Sequence, residues 1–276
     1  MDDANPLFGA WAPRFGVNLA HGWVSYLESG QGDPVLFLHG LNGNASSWQY
    51  QLRDLAPAMR MIAWDAPGYG KSDSAGNTVE EFARAAIELT RRLWPGPVNV
   101  VGHSMGGLVA MKLAMLEPSL VKRLVLSCTH PGHGLGPQGG ANDRYKRRLE
   151  ELRDLPPETY GERRAVGMLP EGTDDGIFRK VASIAAESRS EGVVNAAWAI
   201  QTADLRPELQ KIQAPTLVIT CDQDRVAPLE KAQPLLDRIP DVRHVELHGL
   251  GHAPYIEDAG QFNTVLLDFL QGAVSG

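Results

Sequence analysis

Two kinds of apolar pattern alternate along the chain. Short runs apolar almost throughout, VLFLH (35–39), MIAW (61–64), VNVV (98–101), RLVLS (123–127) and TLVIT (216–220), read as strands covered on both faces. From Phe15 to Gly40 the chain reads as extended segments broken by turns; WVSYLE (23–28) is rich in aromatic and β-branched residues, and SGQGDP follows it. VRHVEL (242–247) adds one more strand. Between the runs lie stripes at helical spacing. Thr78 and Glu81 form a capping-box pattern ahead of Val79, Phe82, Ala83, Ala86, Leu89 and Leu93. Leu108 to Leu116 is stopped by Pro118, and Leu229 to Ile239 separates the last two strands. Phe262, Val265, Leu266, Phe269 and Leu270 stripe a final helix. Such alternation predicts a mostly parallel sheet with helices on both faces, its opening strands antiparallel at one edge.

Residues 131–206 break this rhythm. PGHGLGPQGG reads as a loop, KRRLEELRD as a charged helical stretch with a solvated face, and EGVVNAAWAIQ as another helix. With no strand pattern there, the segment is a helical insertion over one end of the sheet. Residues 1–130 and 207–276 then form the core domain, and 131–206 a cap.

Bulk properties narrow the function classes. A length of 276 residues suits one large α/β domain with an insertion, or two small domains, and 43% hydrophobic residues exclude a disordered chain. Lys and Arg total 26 against 33 Asp and Glu, for a net charge of -7, which argues against nucleic acid or an anionic membrane as the main partner. No apolar run approaches the ~20 residues of a spanning helix. The acidic MDDANPLFGAW start lacks a signal-peptide pattern. Cys128 and Cys221 make no disulfide framework and read as small buried hydrophobes. These features predict a cytoplasmic protein acting on a small molecule, and leave homo-oligomerisation open.

One polar residue stands at a critical place. Gly102-His103-Ser104-Met105-Gly106 is G-x-S-x-G between VNVV and an apolar helix, the pattern of a turn so tight that the serine is strained and exposed. A serine hydroxyl attacks a carbonyl only when a base removes its proton and an acid orients that base. Two later strands end in CDQDRVAP and HGLGHAPYIED, which supply Asp224 as acid and His252 as base. Asp222 and His248 are the rivals, each nearer its strand end; His244 falls inside a strand pattern, and Asp65 and Asp73 precede the serine. The oxyanion needs two donors, expected from the backbone N–H of Met105 and of Leu41 in HGLNGNASSW. Trp48, Tyr69, Met168, Trp198 and Tyr255 are candidates for an apolar substrate pocket. GYGKS fails as a phosphate loop because Asp65 stands where its first glycine would be, and His130 and His133 lack a third metal ligand. The reading requires no metal and no organic cofactor.

HGLNGN with Trp48 behind it, AWDAPGYGKSD, GHSMGG, and the CDQDRVAP and GHAPYIED loops together resemble the α/β-hydrolase superfamily. The resemblance implies an eight-stranded, mostly parallel sheet and a helical cap inserted after the sixth strand. It also implies Ser104, Asp224 and His252 as the triad, and Leu41 and Met105 as oxyanion donors. If the family's sheet order holds, Cys128 and Cys221 end neighbouring strands; Cys221 stands where many members have glycine. Ser104 argues against the aspartate-nucleophile dehalogenases and epoxide hydrolases, and Met105 differs from the usual residue of cofactor-free haloperoxidases. His103 and Ala253 weaken a resemblance to the carbon–carbon bond hydrolases of ring cleavage. Similarity to serine esterases and enol-lactonases implies cleavage of an ester or lactone; a binding receptor of low turnover is the remaining class.

Overall fold

A computed structural model describes residues 13–272; the segment 1–11, where the sequence was read for a signal-peptide pattern, lies outside the described residues. Eight strands form one sheet: β1 (Arg14–Leu19), β2 (Gly22–Ser29), β3 (Asp33–Leu38), β4 (Met59–Trp64), β5 (Val98–His103), β6 (Val121–Ser127), β7 (Thr216–Cys221) and β8 (Val242–Leu247). Their order is β1-β2-β4-β3-β5-β6-β7-β8. β2 runs antiparallel to both β1 and β4, and every other pairing is parallel. The antiparallel edge expected from the opening strands is therefore present.

Successive side chains of a strand point to opposite faces, and the core divides on that rule. Val35 and Phe37 of β3 join Met61 and Ala63 of β4 and Leu217 and Ile219 of β7 on one face. Leu36, Leu38, Ile62, Trp64 and Val218 fill the other. The first face is covered by α1 (Gln49–Asp54), α9 (Pro254–Glu257) and α10 (Ala259–Leu270). The second is covered by α2 (Val79–Leu93), α3 (Met105–Leu116) and α8 (Leu229–Arg238). α2 begins at Thr78, whose hydroxyl accepts from the Glu81 N–H while the Glu81 carboxylate accepts from the Thr78 N–H, the reciprocal pattern read from the sequence.

Between β6 and β7 stand four helices, α4 (Asp143–Asp154), α5 (Pro157–Met168), α6 (Asp175–Ala186) and α7 (Ser190–Thr202). α4 and α7 answer the two helical stretches read from the sequence, whereas α5 and α6 had no separate pattern. No helix among the described residues is long and apolar enough to cross a membrane.

Candidate active site

Ser104 follows β5 and opens α3 with φ 52° and ψ -115°, a region an L-residue enters only when its surroundings force it. The flanking glycines explain the force. A Cβ on Gly102 would lie 2.4 Å from the Gly106 carbonyl oxygen, and one on Gly106 would lie 2.1 Å from that of Leu38. The turn is held further by the Ser104 N–H donating to Ser127 O (2.9 Å) and the Thr129 hydroxyl donating to Ser104 O (2.6 Å).

Three side chains from distant parts of the chain meet above the carboxyl ends of β5, β7 and β8. His252 Nε2 lies 3.0 Å from Ser104 Oγ, and His252 Nδ1 lies 2.8 Å from Asp224 Oδ2. Both Asp224 and His252 are buried. Burial alone would raise the Asp224 carboxyl; the facing His252 ring and the N–H groups of Ala227 and Val226 outweigh it and hold the group at about 2. A carboxylate that stays ionised can keep the proton of the imidazole on Nδ1, leaving Nε2 to accept from the serine.

The rivals are occupied elsewhere. Asp222 accepts from Gly249 N–H (2.7 Å) and lies 3.3 Å from the exposed His248, away from the serine. His244 Nε2 bonds the Thr220 hydroxyl at 2.8 Å. Asp65 is buried against Arg14, Ser25 and the Ala45 N–H, and Asp73 accepts from Trp23 N–H. In the GYGKS loop the Ser72 hydroxyl donates to Asp65 O, a structural contact.

Two backbone donors remain free. Among the described residues nothing accepts from the N–H of Leu41 or of Met105, the first residue of α3. His39 fixes the direction of the Leu41 N–H. Its Nδ1 donates to Gly40 O at 2.8 Å, and its Nε2 accepts from Ala66 N–H at 3.0 Å. Gly40 C=O and Leu41 N–H share one planar trans peptide and point opposite ways, so a bond that pins the carbonyl aims the N–H. Burial holds His39 neutral, lowering it to about 4, and the two bonds require its Nδ1–H tautomer. The Tyr69 hydroxyl donates to Leu41 O at 2.8 Å. Tyr69 thus supports this loop from behind and does not line the cavity.

The loop bearing His252 is clamped on both sides. Glu257 accepts from Gly251 N–H and Ala253 N–H, each at 2.7 Å. His252 N–H donates to Met168 O at the end of α5 (2.8 Å), and Arg225, beside Asp224, donates to the carbonyls of Val166 in α5 and of Leu169 just after it. The inserted helices therefore bond directly to the two loops that carry the acid and the base. Sequence reasoning missed Glu257 and Arg225, although both stand in the loops it singled out.

Ser104 and His252 open on a cavity of about 200 Å³. Of the candidate pocket residues, Met168 and Tyr255 line it. Trp48 does not: it is fully buried in the core, its ring 4.8 Å from Phe37 and 4.9 Å from Tyr255, beneath the residue that reaches the cavity. Trp198 does not either, because Ala197, Ile200 and Gln201 form the lining face of α7 and the neighbouring position points aside, against Tyr145. The charged stretch KRRLEELRD departs from its solvated-face reading at Arg148, which is buried and lines the cavity; Arg144, just ahead of the stretch, lines it too. His130 and His133 stack at 4.7 Å on the cavity wall, and His130 is lowered to about 3, chiefly by burial.

Among the described residues, one group has metal-ligand proximity: Cys128, Asp224 and His252, with ligand atoms within 4.8 Å. Asp224 and His252 already bond each other. The Cys128 thiol is pushed well up by its contact with Cys221 (Sγ–Sγ 3.6 Å) and by burial. A protonated thiol beside a satisfied carboxylate–imidazole pair fits packing better than ligation. The two cysteines do stand at the ends of the neighbouring strands β6 and β7.

Strand order, the serine elbow and a helical insertion after the sixth strand together define one class of fold. Residues 33–259 match the family described as alpha/beta hydrolase fold, and the chain belongs to that family. Similar proteins include RutD of Variovorax paradoxus (strain S110), provisionally named a carbamate hydrolase, 32% identical over 87% of this chain and 92% of its own. A 2-hydroxy-6-oxo-6-(2'-aminophenyl)hexa-2,4-dienoic acid hydrolase of Metapseudomonas resinovorans is 29% identical over 95% and 91% of the two chains. The enol-lactonase of Burkholderia xenovorans LB400 shares the fold with a TM-score of 0.84 at 24% identity, covering 93% of this chain and 100% of its own.

Proposed function

We propose that the protein hydrolyses a carboxylic ester or lactone of a small organic molecule through an acyl-enzyme on Ser104. The observation that carries this reading is the continuous line Ser104 Oγ, His252, Asp224, with bonds of 3.0 and 2.8 Å, beside two free backbone donors. His252 Nε2 takes the Ser104 proton as Oγ attacks the carbonyl carbon, and Asp224 holds the imidazole through Nδ1. The Leu41 and Met105 N–H groups receive the oxyanion. The bond to the leaving alkoxide breaks and His252 returns the proton to it. Water, deprotonated by His252, then attacks the acyl carbon; the bond to Ser104 Oγ breaks, His252 passes the proton to Oγ, and the acid is released. No step uses a metal or an organic cofactor.

Ser104→Ala lowers kcat/KM on short-chain p-nitrophenyl esters by ~10⁴-fold or more. Turnover near wild type would contradict the reading. The Metapseudomonas relative's name motivates a second one, cleavage of a carbon–carbon bond in a vinylogous diketone by the same side chains. Assay of a coloured ring-fission product beside an ester panel separates the two: bleaching of the product with no ester turnover selects the second.

A further inference from the structure

Four arginines line the cavity, Arg144 and Arg148 of α4 and Arg163 and Arg164 of α5, and no aspartate or glutamate among the described residues does. In a chain of net charge -7 this is a local inversion of sign. One carboxylate answers part of it: Glu151 lies 2.7 Å from Arg164 and 3.3 Å from Arg163. Among the described residues Arg144 and Arg148 have no carboxylate within ion-pair reach. Arg148 is the telling one, because it is only 8% exposed. Its Nη1 donates to two neutral oxygens, Asn42 Oδ1 and the Tyr160 hydroxyl, both at 3.1 Å. Its Nε and Nη2 make no hydrogen bond among the described residues.

A guanidinium stays charged at any physiological pH, and burying it without a counter-ion is costly. Its planar fork matches a carboxylate through two parallel N–H bonds. Arg144 stands one helical turn from Arg148 on the same face. Burial, then the charge of Arg148, lowers the Arg144 guanidinium, as expected for a cluster short of negative charge.

We propose that the Arg148 fork, assisted by Arg144, binds a carboxylate carried by the substrate, separate from the group that Ser104 attacks. The substrate class is then a half-ester of a short dicarboxylic acid, or a lactone bearing an acid side chain. This deepens the Ser104 reading and rests on it for the reaction, though not for the binding. Asn42, which accepts from Arg148 and from Tyr160 (2.9 Å), follows Leu41 directly, so the anion site adjoins the oxyanion loop.

Monomethyl glutarate and its neutral counterpart methyl pentanoate test the proposal. The wild-type ratio of their kcat/KM values is at least tenfold in favour of the charged ester. Arg148→Gln lowers that ratio at least tenfold, and Arg144→Gln lowers it as well, which keeps the test open should the buried variant fail to fold. Arg147→Gln removes an exposed α4 charge outside the cavity and leaves the ratio intact. A wild-type ratio of one or less, or a ratio unmoved by Arg148→Gln and Arg144→Gln, overturns the proposal. Calorimetry of both esters with Ser104→Ala protein reads the site without turnover. Tighter binding of the charged ester, lost in Arg148→Gln, upholds the anion site even where ester hydrolysis itself fails. Equal binding overturns it.

Discussion

At Ser104 the backbone angles and the neighbouring glycines act together: the strain lifts Oγ clear of the sheet, and the imidazole meets it at 3.0 Å. Asp224 decides the tautomer of that imidazole. Held at about 2, it stays a carboxylate through the neutral range and accepts from Nδ1. Asp224→Asn presents an amide of nearly the same shape that can donate to Nδ1, so the proton moves to Nε2 and the base is lost. The expected fall in kcat is roughly 10⁴-fold with KM little changed, measured by steady-state ester hydrolysis. A loss below tenfold would mean that the carboxylate is not orienting the base. Ser104, Asp224 and His252 were legible because each follows the carboxyl end of a strand read from the sequence, in a short segment of its own motif. His39 and Glu257 were not: their work is done on backbone atoms of neighbours, and no spacing rule registers that.

Among the elements, the central strands were the most legible, since burial on both faces writes a run apolar almost throughout, as in β7; VRHVEL, largely exposed and mixed in polarity, still matches β8 residue for residue. α2 was legible for its cap as well as its stripe. Thr78→Ala removes the hydroxyl that accepts from the Glu81 N–H at an exposed helix start. The expected cost is about 1 kcal/mol, seen as a melting point lower by about 2 °C with ester turnover retained. The inserted helices were least legible. α4 buries Arg148 and Glu151 on its inner face, so a charged helix that walls a cavity looks, in sequence, like one facing solvent. Trp48 and Trp198 misled in the opposite way: a large aromatic ring fills a core as readily as it lines a pocket.

The whole molecule hides several histidines from water, and its acid stability follows. His39 has an ordinary value of 6.5 and is lowered to about 4 by burial. Above pH 6.5 folded and unfolded chains both hold it neutral, and its contribution is fully present. As the pH falls the unfolded chain takes up the proton while the folded one refuses it, until about pH 4. The gap of about 2.5 pH units corresponds to about 3 kcal/mol of lost stability. His130, lowered to about 3, acts in the same direction. Asp224 adds a further loss between pH 3.8 and about 2. Denaturant midpoints measured from pH 8 to pH 4 should fall steadily below 6.5, and a flat or rising profile there would refute buried neutral histidines.

The covalent step is open to direct observation. Rapid quenching during hydrolysis of p-nitrophenyl acetate, followed by mass analysis of the digested protein, reports where an acyl group resides. The expected result is one acetyl group on the peptide containing Ser104 and none on the Ser104→Ala protein. Undiminished hydrolysis with that peptide unmodified, or with the acyl group on another side chain, would contradict the account.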